Sequence, residues 1–260
     1  MCPYTVGVSL TNHICGGSVL DKTHILTAAH CVKHIGNDTW DIKVITNTSN
    51  WYYRKNNEFG VSKAIIHRDF KEGLHNNITN LADIAVLKLD AELPLEALMP
   101  GLQTVSLPNS APEAGADPEI CGFGRIDPDV SGPLSWMYKL QMKTISFSEC
   151  RLSLGDSGSP LVHNGEVIGV ASWTVKCSNG TPQVFTDVFT YRDWIQDAMN
   201  WNDTSKASAH WVAGDNVWTT LDTQGEDTQL GYLTEFQFDT ACECNWDNSY
   251  TLTQGVKRIT

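Results

Sequence analysis

Gly155-Asp156-Ser157-Gly158-Ser159-Pro160 is the stretch on which the reading of this chain turns. A serine hydroxyl is a weak nucleophile at its own pKa. Catalysis therefore needs a base beside it and amides aimed at the developing oxyanion. The glycines flanking Ser157 allow a sharp turn and close approach of a substrate. The amides of Gly155 and Ser157 can then converge on one spot. The same residues also suit an ordinary surface turn, so the stretch needs support from elsewhere in the chain.

Two other stretches supply it. Leu26-Thr27-Ala28-Ala29-His30-Cys31 sets a histidine among small apolar residues. Asp83-Ile84-Ala85-Val86-Leu87-Lys88-Leu89 sets a carboxylate at the head of a strand-like run. Taken singly, a His beside a Cys is a packed core residue and an Asp before a strand is a turn residue. Taken together, the chain order His30, Asp83, Ser157 is that of a chymotrypsin-type triad. On these residues the chain resembles the chymotrypsin/trypsin-like serine proteases. The resemblance spans roughly residues 3 to 200. Pro3 to Leu10 is similar to the family's first strand, and Cys15-Gly16-Gly17-Ser18 to the strand before the histidine loop. Gly122-Phe123-Gly124-Arg125 resembles a Gly-Trp-Gly element in its arthropod form. Ser172-Trp173 resembles the strand lining the substrate cleft, and Tyr191 to Met199 the C-terminal helix.

The resemblance implies an all-β fold: two antiparallel six-stranded β-barrels with a C-terminal helix, the second barrel incomplete. Residues 1–95 form the first barrel, carrying His30 and Asp83. Residues 96–118 link the barrels, 119–200 form the second barrel with Ser157 and the helix, and 201–260 are a tail of unassigned role. The implied chemistry is peptide-bond hydrolysis through an acyl-enzyme. Ser157 attacks, His30 takes and returns the proton, and Asp83 orients the imidazole. Gly155 and Ser157 form the oxyanion hole. Ser172, Trp173 and Thr174 pair with the substrate as an added strand. A Cys15–Cys31 disulfide pins the histidine loop. No cofactor and no metal is implied. The partners are protein or peptide substrates and protein protease inhibitors, and the chain is expected as a monomer. The competing reading is a catalytically silent homologue that binds partners through the same cleft.

The chain departs from the pattern in informative places. His30 to Asp83 spans 53 residues, against about 45 in the template. Asp83 to Ser157 spans only 74, against about 93. The missing residues belong to a disulfide-bridged loop, a strand and part of the pocket wall. Counting back from Ser157 puts Arg151 at the pocket base, where a cation favours an acidic substrate side chain. Thr174 and Gln183 stand where glycines are usual and narrow the pocket. Cys177 has Cys150 as its nearest candidate mate, while Cys121 has no obvious one, because His163 stands at its expected partner's position. The chain also starts at Met1-Cys2-Pro3 without the Ile-Val-Gly-Gly that pairs with the Asp before the nucleophile, here Asp156. The expectation is a sequence truncated at its N-terminus.

Composition agrees with the motifs. At 260 residues and 41% hydrophobic content the chain can bury a large core. Eight cysteines point to an oxidising, extracellular compartment. Acceptor sequons at Asn37, Asn47, Asn77, Asn179 and Asn202 suit a secreted surface. A net charge of -12 argues against nucleic acid. No apolar run reaches membrane-spanning length.

Local patterns place strands at residues 4–10, 14–20, 24–28, 40–44 and 61–67, and one or two within 134–146. Further strands are expected at 166–174 and 183–189. Arg68 to Asn80 reads as a polar loop. Its Asp69 and Glu72 are more simply solvated than calcium-bound, since a calcium site needs six or more oxygens. Tyr191, Trp194, Ile195, Ala198 and Met199 fall on one helical face and read as core. In the tail, Ala209-His210-Trp211-Val212 faintly echoes Ala29-His30-Cys31-Val32. Cys242-Glu243-Cys244 lacks further metal ligands.

Overall fold

Val6 and Val8 in β1 (Thr5–Ser9) lie between glycines and small polar residues, and every residue of the strand is buried. A strand covered on both faces has no need to alternate. A computed structural model of the chain describes residues 2–10, 13–33, 39–50, 57–75, 78–95, 101–123, 136–145, 157–173, 183–201, 209–213, 236–238 and 257–258. β1 pairs antiparallel with β2 (Ile14–Val19), and β2 with β3 (His24–Thr27). The turn into β3 is set by Asp21, whose Oδ1 accepts the amides of Thr23 at 2.7 Å and His24 at 2.8 Å. β4 (Lys43–Ile45), β5 (Glu58–His67) and β8 (Ala85–Leu89) complete the sheet. The order β1-β2-β3-β8-β5-β4 closes on itself through β1–β4 pairing. Val19, Ile25, Leu26, Ile65, Val86 and Leu87 of this six-strand barrel are all buried, on one face of the sheet or the other.

Two local expectations are corrected. Residues 40–44 do not run as one strand: Thr39–Asp41 form a 3₁₀ turn. The Ile42 amide bonds back to the Thr39 carbonyl at 3.0 Å, so the strand starts only at Lys43. Residues 68–80 are not a plain loop. β6 (Lys71–His75) and β7 (Ile78–Leu81) make a hairpin with Leu74 opposite Thr79. Polar composition hid it, but a two-stranded ribbon facing water needs only its main-chain bonds. Glu72 ties this ribbon to Lys33, just past the helical turn at residues 29–32, and Asp69 flanks His67 and Arg68.

The second sheet uses β9 (Glu119–Gly122), β10 (Tyr138–Gln141), β11 (Thr144–Ile145), β12 (Pro160–His163), β13 (Glu166–Trp173) and β14 (Gln183–Asp187). β12 and β13 form a hairpin across Asn164 and Gly165, whose φ values are 51° and 80°. Positive φ at both central positions is the type I′ turn that Asn-Gly favours. The sequence reading placed no strand at 160–163 despite that signal. Among the described residues, strands drawn from 119–187 pair in the open order β14-β13-β12-β9-β10, which leaves this barrel incomplete, as expected, and β11 pairs with none of them.

The tail returns to both barrels. β15 (Ala209–Ala213) pairs with β5, β16 (Phe236–Phe238) with β14 and β11, and β17 (Lys257–Arg258) with β10. The echo between residues 209–212 and 29–32 is not structural. The first copy forms the one-turn helix α1 (Ala29–Val32), and the second lies in a strand.

Cys15–Cys31 forms as expected. Cys121, which had no mate by sequence, is bonded to Cys2 across a separation of 119 residues. The family pattern pointed to position 163 and so missed a partner at the start of the chain. Among the described residues no helix is long and apolar enough to cross a membrane.

The C-terminal helix α2 (Arg192–Met199) buries Trp194, Ile195 and Ala198, with Tyr191 and Met199 partly covered. The rings of Tyr191 and Trp194 both stand edge-on to His67, with centroids 4.9 Å apart. Burial pushes the His67 imidazole down to about 4, and nearby Arg68 adds to the shift against the pull of Asp69. His67 is therefore neutral in the fold at pH 5, whereas the unfolded chain takes up a proton there. Stability is fully present above the unfolded pKa of about 6.5 and falls as pH drops towards 4. Between pH 7 and 5 the expected loss is about 2 kcal/mol. Thermal unfolding at both pH values checks it: His67→Gln should flatten the pH dependence, whatever it does to absolute stability.

Candidate active site

His30 reaches its place through three constraints. It sits in α1, directly after β3, and the neighbouring Cys31 ties that turn to Cys15 on β2. Its backbone amide donates to Asp83 Oδ1 at 2.8 Å, and its ring Nδ1 lies 2.6 Å from Asp83 Oδ2. One carboxylate thus holds both the main chain and the ring of the histidine. The other ring nitrogen, Nε2, is left free to work, and it lies 3.7 Å from Cys31 Sγ. Neither cysteine beside it can bind metal, because both sulfurs are in the disulfide.

Asp83 precedes β8 and is completely buried, while the His30 side chain remains about one-fifth exposed. An isolated buried carboxylate is costly unless donors surround it. Asp83 accepts a third hydrogen bond from Ser172 Oγ at 2.5 Å. Thr186 Oγ1 donates to the Asp83 carbonyl at 2.9 Å, fixing the main chain as well. Just before it, the buried Ala82 takes a φ of 50°, a region that non-glycine residues seldom adopt. The chain turns sharply there and points Asp83 inward.

Ser157 lies at the seam between the barrels. Its carbonyl accepts the Gly16 amide from β2 at 2.8 Å. The next residue, Gly158, has a φ of 79°, and its amide donates to the Ala171 carbonyl on β13 at 2.7 Å. Ala171 in turn donates to the Ser159 carbonyl at 3.0 Å. The turn is therefore stitched to a strand of each barrel. Thr27 Oγ1 seals the join by donating to the Gly16 carbonyl at 2.8 Å. The close approach needs glycine on both sides. A Cβ on Gly16 would lie 2.1 Å from Ser159 Oγ and 2.6 Å from its Cα, and one on Gly158 would lie 2.4 Å from the Gly16 carbonyl. Gly16→Ala is expected to cost about 3 kcal/mol by overpacking, read as a lower denaturant midpoint at unchanged m-value.

His30 and Asp83 are in direct contact. Ser157 is half-buried on the facing seam, and no hydrogen bond joins it to His30 among the described residues. Such bonds are often long before substrate binds. Gly155, Asp156, Arg151 and Thr174, with Cys150 and Cys177, lie outside the described residues. Trp173 and Gln183 are placed only as strand backbone in β13 and β14. Sequence reasoning assigned Ser172 to substrate pairing and missed its bond to Asp83. It missed Thr186 entirely, since nothing in the sequence distinguishes that threonine from others on strands.

Comparison with known proteins follows the same lines. The family model described as Trypsin matches residues 1–195. The chain is 30% identical over 220 residues to trypsin II-P29 of Gallus gallus, covering 76% of this chain and 84% of that protein. It is 30% identical over 222 residues to trypsin of Sus scrofa, covering 76% and 90%. Chymotrypsin-2 of Vespa crabro is 29% identical over 216 residues, covering 75% and 93%. Among solved structures, a scabies mite inactivated protease paralogue superposes with a TM-score of 0.65 at 22% identity, covering 76% and 92%. Neuropsin of mouse brain gives 0.64 at 22% identity, covering 76% and 95%.

Proposed function

The chain belongs to the trypsin family of serine proteases, and on that premise we propose that it is an endopeptidase whose reacting group is Ser157. The observation that carries the reading is the buried Asp83 holding both the amide and the ring of His30. That arrangement fixes one imidazole tautomer and steadies the imidazolium that forms when the ring takes a proton. His30 Nε2 accepts the Ser157 proton as Oγ attacks the scissile carbonyl, then delivers it to the leaving amine. Water follows the same route to release the acyl group. The amides of Gly155 and Ser157 hold the oxyanion, a donor pair worth about 10²–10³ in rate for each member lost. The backbone of residues 172–174 pairs with the substrate as an added strand. Arg151, Thr174 and Gln183 shape a narrow primary pocket. The Cys2–Cys121 and Cys15–Cys31 disulfides support a secreted protein, acting as a monomer on protein substrates and open to protein protease inhibitors.

A second reading is favoured by one observation: His30 Nε2 rests beside Cys31 Sγ rather than in a hydrogen bond to Ser157. In it the chain is a silent homologue that binds through the same cleft; the mite paralogue is itself described as an inactivated protease. Fluorophosphonate labelling of the folded chain separates the two. Such probes react with an activated serine near formed oxyanion donors. Modification mapped to Ser157 supports the endopeptidase, and a folded chain that stays unmodified sinks it.

A further inference from the structure

The two barrels close differently. The first closes with strands taken entirely from residues 5–89. Among the described residues, the six strands of the second that come from residues 119–187 do not close. β11 follows β10 after two residues, so those two act as one bent run. Among the described residues, β14 then has no partner beyond β13, and β11 has none among these six strands. β14 is a poor edge strand, because Val184, Phe185, Thr186 and Asp187 are all buried. Unpaired main-chain groups beside such residues are costly, and a bare edge recruits other strands.

β16 fills that gap. It pairs with β14 through Gln183↔Phe238, Val184↔Gln237 and Phe185↔Phe236. It pairs with β11 through Thr144↔Phe238 and Ile145↔Gln237. The pairings then run unbroken from β11 through β16, β14, β13, β12 and β9 to β10, and residues 142–143 join β10 to β11 along the chain. The sequence Phe-Gln-Phe has the two-residue period of a strand.

A single line of main-chain partners runs from this strand to the Ser157 turn. Phe236 is opposite Phe185, and Phe185 is opposite Ala171. Ala171 holds Gly158 and Ser159 by two hydrogen bonds. We propose that the slot between β11 and β14 is a strand-acceptor site, filled in cis by residues 236–238, and that this C-terminal strand is a positioning element for the Ser157 turn. Its ligand is an extended peptide recognised through its main chain, and its occupant is the chain's own tail. The strand exchange stands without the endopeptidase reading, and only its effect on Ser157 rests on that reading.

The test uses the full-length chain. Val184→Cys with Gln237→Cys places thiols on register partners. Mild oxidation should give an intramolecular 184–237 disulfide on peptide mapping, while Val170→Cys with Gln237→Cys should not. Gln237→Pro removes an amide donor from the strand, and Gln237→Ala keeps it. Hydrogen exchange of residues 183–187 should quicken at least tenfold in Gln237→Pro and stay unchanged in Gln237→Ala. The rate of fluorophosphonate labelling at Ser157 should fall with it. An absent 184–237 crosslink, or one formed between two copies, overturns the proposal. Unchanged exchange in a folded Gln237→Pro also overturns it, and if that variant fails to fold the crosslink decides. Quickened exchange with labelling unchanged keeps the acceptor site and removes the positioning role. If no variant labels at Ser157 while exchange responds, the endopeptidase reading fails and the acceptor site stands.

Discussion

Ser157→Ala is expected to leave a folded protein that neither labels with fluorophosphonate nor cleaves peptide bonds, with kcat lowered about 10⁶-fold. Folding should survive because the turn is held by main-chain groups. The Ser157 carbonyl, the Gly158 amide and the Ser159 carbonyl all keep their partners when Oγ is removed. The missing hydroxyl is the atom that forms the new bond, so no neighbouring group can stand in for it. KM should change far less, because the cleft strand around Ser172 is untouched. Steady-state kinetics on a general protein substrate, with a thermal melt as control, read the result. Equal activity in wild type and variant would move the chain to the silent reading.

Asp83→Asn should lower kcat about 10⁴-fold, the effect of a mis-set histidine tautomer in triads of this kind. The carboxylate offers two acceptor oxygens to three donors: the His30 amide, His30 Nδ1 and Ser172 Oγ. An asparagine keeps one acceptor oxygen and brings a donor of its own. If its oxygen stays with the His30 amide, its NH₂ faces Nδ1, and the imidazole must put its proton on Nε2. That nitrogen can then no longer accept from Ser157. One buried donor is also left unmatched, at a cost of about 2 kcal/mol in stability. A structural defect alone would track the melting temperature. A tautomer defect should instead recover in part at alkaline pH, where hydroxide can replace the missing base. The pH profile of kcat therefore separates the two, and a loss without alkaline recovery would count against the orienting role.

Much of this chain could be read from local pattern. The family, the first barrel's strands and the helix face of Trp194, Ile195 and Ala198 follow from short motifs and side-chain period. Both are properties of neighbouring residues. Candidate site residues were legible for the same reason, as each lies in a recognisable stretch. Other features depend on groups far apart in sequence. The bonds of Ser172 and Thr186 to Asp83 join residues 89 and 103 positions apart. The Cys2–Cys121 bridge spans 119. The hairpin at residues 71–81 was missed because exposed ribbons carry no hydrophobic period.

The sequence by itself determined the family, the barrel architecture and which histidine, aspartate and serine to examine, because motif chemistry is written in adjacent residues. Only the tertiary structure decided what surrounds Asp83, where Cys2 goes, and that residues 236–238 lie between β11 and β14. Those outcomes are set by which distant groups are left unpaired when the core closes, and no local pattern records that.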